Sequence, residues 1–281
     1  MCLVGSTMVE GNSPGRPYLL QAGRSDFHIH TYVSDGAEDC TPENIARVAE
    51  KLGLREVGLT DHVMACGEGA RGHDHKNCDT GPYFELCERI RGVSSPVRVY
   101  ASWEVDYFDG GRYSFDPGKH LDGLDYVLLA HHYFRHVIDE KPQVIADYLF
   151  RIYMEMAREP WANIIAHPFY VPPPPERHGA VLSHISDGQF SEFFQALRDN
   201  GKAAEITAYQ FSANLRDVSQ SLRMYSVARE TCVKFVLDSD AHRLDTIGTG
   251  LRSLYLLDDL GFRDEDFVDY EGLLSLKQAL H

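Results

Sequence analysis

Short apolar, β-branched runs alternate with amphipathic stretches along the whole chain of 281 residues. The runs fall near residues 25–30, 56–60, 97–104, 124–130, 162–166, 203–207 and 233–238, with the length and content of buried strands. Helical patterns sit between them. Thr41-Pro42-Glu43 reads as an N-cap followed by proline in the first turn, opening a helix that Gly53 stops. Pro82 opens a second helix through about Arg91. Pro142 to Arg158 carries Ile145, Leu149, Ile152 and Met156 at helical spacing. Asp187 reads as the cap of a helix ending at Asn200-Gly201, and residues 214–230 and 270–280 complete the set. Seven strand–helix units predict an α/β barrel of parallel strands, with its chemistry at the C-terminal strand ends. Two connections are long, 63–81 and 168–186. The second contains Pro172-Pro173-Pro174-Pro175, a stiff extended segment.

The strand ends carry the chemistry. Asp26-Phe27-His28-Ile29-His30 puts two imidazoles on one side of an extended chain, because strand side chains alternate. Asp240 and His242 repeat the spacing more than 200 residues later. Between them lie Thr60-Asp61-His62, Trp103-Glu104, His131-His132 and Ala166-His167-Pro168. A chain that repeatedly ends strands in His, Asp or Glu is read as building one polynuclear metal site. Imidazole and carboxylate together suit Zn, Mn or Fe, and no thiolate is needed.

Composition narrows the partners. The net charge of −15 argues against a nucleic-acid backbone, which is bound by clustered Lys and Arg, and leaves room for bound divalent cations. Six scattered cysteines without a C-x-x-C pair read as reduced thiols, which suggests a cytoplasmic protein. No apolar run reaches the roughly 20 residues of a membrane span. Residues 1–23 read as a loose N-terminal extension and 24–281 as one barrel domain. Gly67 to Gly72 matches G-x-G-x-x-G, but no helix follows, so the dinucleotide reading is rejected. Cys66, His73, His75 and Cys78 fit no common zinc template. No G-x-S-x-G elbow supports a serine nucleophile.

These blocks resemble the polymerase and histidinol phosphatase (PHP) superfamily. His28-Ile-His30 with Ser34-Asp35-Gly36 is similar to the first of the family's four blocks. Thr60-Asp61-His62 resembles the second, Ala166-His167-Pro168 the third, and Ser239-Asp240-Ala241-His242 the fourth. The resemblance spans roughly residues 24–250 and implies a distorted (β/α)7 TIM-like barrel with three divalent metal ions, Zn, Mn or Fe. It implies one metal on His28, His30, Glu104 and Asp240. A second would share Glu104 as a bridge and add His132 and His167, and a third would take Asp35, His62 and His242. Only one of His131 and His132 can point inward. Counting from Asp125-Tyr126-Val127 favours His132, with His131 as the alternative.

The activity implied is that of a metal-dependent phosphoesterase hydrolysing a small phosphomonoester, histidinol-phosphate-like or nucleotide-like, by metal-activated hydroxide. A metal-dependent hydrolase of another bond type and a non-catalytic metal-binding module are the alternatives. Arg71, His73, Lys76, Arg135, Arg177, His178 and Arg243 are the candidates to contact phosphate or leaving group.

Overall fold

The computed structural model describes residues 24–63, 81–114, 121, 123–134, 136–171, 174, 176–211 and 218–278. The elements run β1 (Ser25–Ile29), α1 (Pro42–Leu52), β2 (Glu56–Val63), α2 (Gly81–Arg91), β3 (Arg98–Phe108), β4 (Arg112–Tyr113), β5 (Tyr126–Ala130) and α3 (Pro142–Met156). They continue with β6 (Ile164–Ile165), α4 (Glu176–Leu182), α5 (Asp187–Asp199), β7 (Ala203–Thr207), α6 (Ser219–Glu230), β8 (Lys234–Asp238), α7 (Leu254–Asp259) and α8 (Tyr270–Gln278). Seven strands pair in parallel in the order β1-β2-β3-β5-β6-β7-β8, and the short β4 lies antiparallel on β3. The result is a nearly closed, distorted (β/α)7 barrel. No helix among the described residues is long and apolar enough to cross a membrane.

Local sequence explains most of the helix ends. Thr41 Oγ1 accepts the Asn44 N–H at 3.3 Å, Pro42 fills the first turn, and Gly53 stops α1 in the left-handed region at φ 78°. The apolar stripe of α3 (Ile145, Leu149, Ile152, Met156) is buried against the sheet. The cap of α5 is Ser186 rather than Asp187. Its hydroxyl accepts the Gln189 N–H while the Gln189 side chain takes the Ser186 N–H, and that reciprocal pair outcompetes a lone aspartate. The expected loop 168–186 contains α4, a helix of about two turns that begins as soon as the proline run ends.

Inside the barrel, Phe27, Tyr126, Leu128, Ala130, Ile164, Ala166, Ala203 and Val236 pack as one buried cluster, separate from the larger core under the helices. Leu273 of α8 belongs to the same cluster, so this helix plugs the N-terminal mouth. The Glu56 carboxylate accepts the Tyr270 N–H at 3.0 Å, and the Tyr100 and Tyr270 rings stack with centroids 3.9 Å apart. Gly58 is required on this inner wall: a Cβ there would lie 1.5 Å from the Tyr126 hydroxyl oxygen.

The seam between β1 and β8 is closed in an unusual manner. One isolated bridge joins Ile29 to Ala241, with His30 N–H to Ala241 O at 2.8 Å. Below it, carboxylates take the place of ladder acceptors. Asp238 Oδ1 accepts the Phe27 N–H at 2.6 Å, and Asp26 Oδ1 accepts the Ser239 N–H at 2.9 Å. Burial pushes the Asp26 and Asp238 carboxyls above the usual range.

Cys40 and Cys87 are free thiols, but Cys232 is disulfide-bonded, against the expectation that all six cysteines are reduced. Its partner lies outside the described residues. Scattered cysteines give no spacing from which such a pair could be read, and the expectation of a cytoplasmic location loses one of its supports.

Candidate metal centre

Strand parity aims the ligand-type residues. In β5, Tyr126, Leu128 and Ala130 face the interior, so His132 continues inward while His131 turns out toward the helices. There His131 Nδ1 meets the Tyr107 carbonyl at 2.7 Å, and its Nε2 meets the Tyr148 hydroxyl at 3.1 Å. Burial lowers the His131 imidazole to about 4. In β3, Glu104 and Asp106 lie on the inner face, two residues apart. β1 needs a further device. Its register on β2 shifts between Asp26 and Ile29, and this irregularity lets Phe27 join the interior cluster while His28 and His30 face the centre.

The structure brings His28, His30, Asp35, His62, Glu104, His132, His167, Asp240 and His242 together at the C-terminal mouth. Glu104 is the hub and is 1% exposed. Its Oε2 lies 3.3 Å from His28 Nε2, 3.6 Å from His30 Nε2 and 2.9 Å from His62 Nδ1. Its Oε1 lies 3.1 Å from His167 Nε2 and 3.7 Å from His132 Nε2. Asp240 Oδ1 closes the first side, 3.1 Å from His30 Nε2 and 3.5 Å from His28 Nε2. At the outer rim Asp35 Oδ2 is 3.2 Å from His242 Nε2 and 3.7 Å from His62 Nε2.

These separations suit cations. Atoms bound to a tetrahedral zinc at about 2.0–2.1 Å are about 3.3 Å from one another. Imidazole nitrogens face each other at 3.0 Å (His28–His30) and 3.2 Å (His132–His167), contacts that gain little without a proton or a cation between them. Buried atoms aimed into the cluster, His30 Nδ1 and Glu104 Oε2 among them, make no hydrogen bond within it. Three groups have ligand atoms within 4.8 Å of one another: His30, Asp35, His62 and His242; His28, His30 and Asp240; His62, Glu104 and His132. His30 and His62 each fall in two groups, so the geometry does not divide the ligands as neatly as the family resemblance implies.

Without metal the cluster balances its charge internally. Burial pushes the Glu104 carboxyl up, but the His62, His28 and His132 imidazoles outweigh it and hold it well below the usual range. Burial lowers His62, yet Glu104 and Asp35 raise it to about 10. His30 goes to about 3, through burial and then the neighbouring His62. Protons here stand where cations would displace them.

A second ring of carboxylates fixes the ligand-type residues, and sequence reasoning missed it. Glu205, fully buried in the β7 sequence Ala-Ala-Glu-Ile-Thr, places Oε1 2.7 Å from His28 Nδ1, and its Oε2 accepts the His167 N–H at 2.6 Å. Asp106 Oδ1 sits 2.8 Å from His132 Nδ1. Asp61 accepts the Thr31 N–H at 2.7 Å and the Thr31 hydroxyl at 2.6 Å, which anchors the loop carrying Asp35. The signal was available: an acid inside an apolar strand has no solvent to satisfy it. His167 and Asp240 have φ 26° and 53°, non-glycine residues held in the left-handed region at the centre itself.

The residues expected at the phosphate or leaving group fare differently. Arg71, His73, Lys76 and Arg135 lie outside the described residues. The Arg177 guanidinium donates to the Ile138 carbonyl. His178 is buried in α4, 3.0 Å from the Ser221 hydroxyl on α6. Arg243 points outward and pairs with Asp245 at 2.9 Å. The amphipathic register of α4 takes His178 away, and an adjacent acid takes Arg243.

No protein-family model and no curated protein sequence matches the chain. Solved structures do. A histidinol phosphate phosphatase from Lactococcus lactis subsp. lactis, in complex with zinc, L-histidinol and phosphate, superposes with TM-score 0.60. Identity is 14%, over 88% of this chain and 99% of that one. The chain shares their fold: a Listeria monocytogenes protein described as a histidinol phosphatase gives TM-score 0.59 at 15% identity, over 82% of this chain and 99% of its own. The distorted barrel implied by the sequence blocks is therefore found.

Proposed function

We propose that the chain is a metal-dependent phosphoesterase that hydrolyses a small phosphomonoester, histidinol-phosphate-like or nucleotide-like, using up to three divalent cations (Zn, Mn or Fe). The observation that carries this reading is Glu104, whose two oxygens address two separate sets of imidazoles. His28, His30, Glu104 and Asp240 would hold one cation. Glu104, His132 and His167 would hold a second, and Asp35, His62 and His242 a third at the rim. A divalent cation bound there lowers the pKa of a water toward neutrality and offsets charge on a phosphoryl group.

The chain's own residues supply the rest. The acidic and imidazole groups concentrate a site for cations in a mouth also lined by Phe134, Tyr170 and Tyr209 and by the hydroxyl residues Thr207 and Ser239. Glu205 and Asp106 orient His28 and His132 so that the other ring nitrogen of each faces Glu104. The fold shared with a histidinol phosphate phosphatase supports the phosphomonoester reading over an amide-cleaving one.

The test is a metal analysis paired with a panel of phosphate esters and amides. The reading expects bound Zn, Mn or Fe, hydrolysis of phosphomonoesters, loss of both on chelation, and return of both on adding metal. A metal-replete protein that cleaves amides but no phosphate ester overturns it.

A further inference from the structure

A cleft of about 540 Å3 opens beside the ligand cluster. Its inner end is formed by ligand-type residues, including His62, His132, His167 and His242. Its outer wall is aromatic. Tyr170 stands 5.3 Å from His167 and 6.0 Å from His132, centroid to centroid. Tyr209 follows at 5.5 Å from Tyr170, tilted by 48°, and Phe134 backs Tyr170 at 6.0 Å. Both tyrosines are half-buried, and Phe134 is buried behind them.

Charge is distributed just as unevenly. Among the described lining residues outside the imidazoles, the charged side chain is Asp240, which already faces His28 and His30. Arg177 and Arg243 are engaged elsewhere. So the inner end suits a phosphoryl group, and among the described lining residues the outer wall offers no lysine or arginine for a second phosphate. A planar ring gains most on such a shelf, because offset or edge-on ring contacts add to the burial of its area.

We propose that the leaving group of this chain's substrate carries an aromatic ring that lies on Tyr170 and Tyr209. This rests on the phosphoesterase reading. In the reaction, water oxygen forms the new bond to phosphorus and the bond from phosphorus to the ring-bearing oxygen breaks. The departing oxygen takes up a proton, so the products are an aromatic alcohol and inorganic phosphate. Tyr170 and Tyr209 are specificity residues, acting on the ring and not on the phosphorus.

Phosphonates test the shelf without the bias that a good leaving group introduces. Binding of phenylphosphonate, benzylphosphonate, propylphosphonate and 2-aminoethylphosphonate to the metal-loaded protein is measured by calorimetry, and by inhibition of p-nitrophenyl phosphate hydrolysis. The two aromatic compounds should bind on the order of tenfold more tightly than the alkyl and aminoalkyl ones. Tyr209→Leu and Tyr170→Leu should erase that preference while the affinity for inorganic phosphate stays the same. Melting curves verify that the variants fold. Equal affinity for propyl and phenyl compounds, tighter binding of the aminoethyl compound, or a preference that survives both substitutions overturns the shelf while leaving the phosphoesterase reading intact. If no phosphonate and no phosphate binds, and no ester is hydrolysed, the phosphoesterase reading fails and the shelf falls with it.

Discussion

Glu205 holds His28 and His167 at once, one through the imidazole at 2.7 Å and the other through the backbone N–H at 2.6 Å. A single buried carboxylate thus sets the ring orientation of a ligand on β1 and the strained backbone of a ligand after β6. Glu205→Gln keeps the shape and removes the charge. It should weaken metal affinity about 10–100-fold, as loss of a partner behind a ligating histidine does elsewhere. Competition titration against a chromophoric chelator measures it, and an unchanged affinity would contradict the positioning role.

Glu104→Gln is expected to lower the number of cations bound by more than one. The amide nitrogen replaces an oxygen that faces one set of imidazoles, and the remaining oxygen is a weaker ligand for the other. Elemental analysis of the purified variant decides it. Full metal stoichiometry would mean that the two oxygens do not bridge.

The neighbouring histidines of β5 should separate cleanly. His132→Ala should reduce metal content, and in the metal-free protein it removes the imidazole paired with the buried Asp106. His131→Ala should retain the metal and lose about 2 kcal/mol or more, because it leaves the buried Tyr107 carbonyl and Tyr148 hydroxyl without their partner. Denaturant melts in chelator, beside metal analysis, give both readouts, and the opposite pattern would reverse the inward and outward assignment.

His131 also predicts a pH dependence. Its folded imidazole is lowered to about 4, against about 6.5 when unfolded. The unfolded chain therefore takes up a proton that the folded chain refuses. Stability from this group is whole above about 6.5 and falls as the pH drops toward 4, by about 3 kcal/mol at most. Below that both states are protonated and the loss levels off. His131→Gln in chelator should flatten this part of the stability curve relative to the parent. An equal slope in both proteins would show that His131 does not titrate in this way.

The sequence revealed the barrel because each strand is a compact apolar run whose last residues change character abruptly. His28, Glu104, His167 and Asp240 all stand at such a change. Parity let only one of His131 and His132 point inward, and counting from Asp125-Tyr126-Val127 favoured His132, which is the one that faces Glu104. The irregularity in β1 was invisible, because register belongs to a pair of strands and not to one. Glu205 was overlooked for another reason: the run 203–207 was read as a strand without asking what a carboxylate would do inside it. α4 was hidden by the four prolines before it, which signal extended chain up to the residue where they stop. Arg177 and His178 were drawn toward the site by their type, whereas their direction depends on how that short helix docks.

The carboxylate-closed seam has a consequence for how the centre comes into being. Asp238 and Phe27 are 211 positions apart in the chain, and the strands they join carry His28, His30 and Asp240. A nascent chain emerging from the ribosome exposes the first two imidazoles long before their aspartate exists. Until β8 is synthesised, any ion captured there is held by an incomplete set of donors and exchanges readily. Selection of an ion would therefore belong to the finished chain, and an ion held there would act as a rivet between its earliest and latest strands.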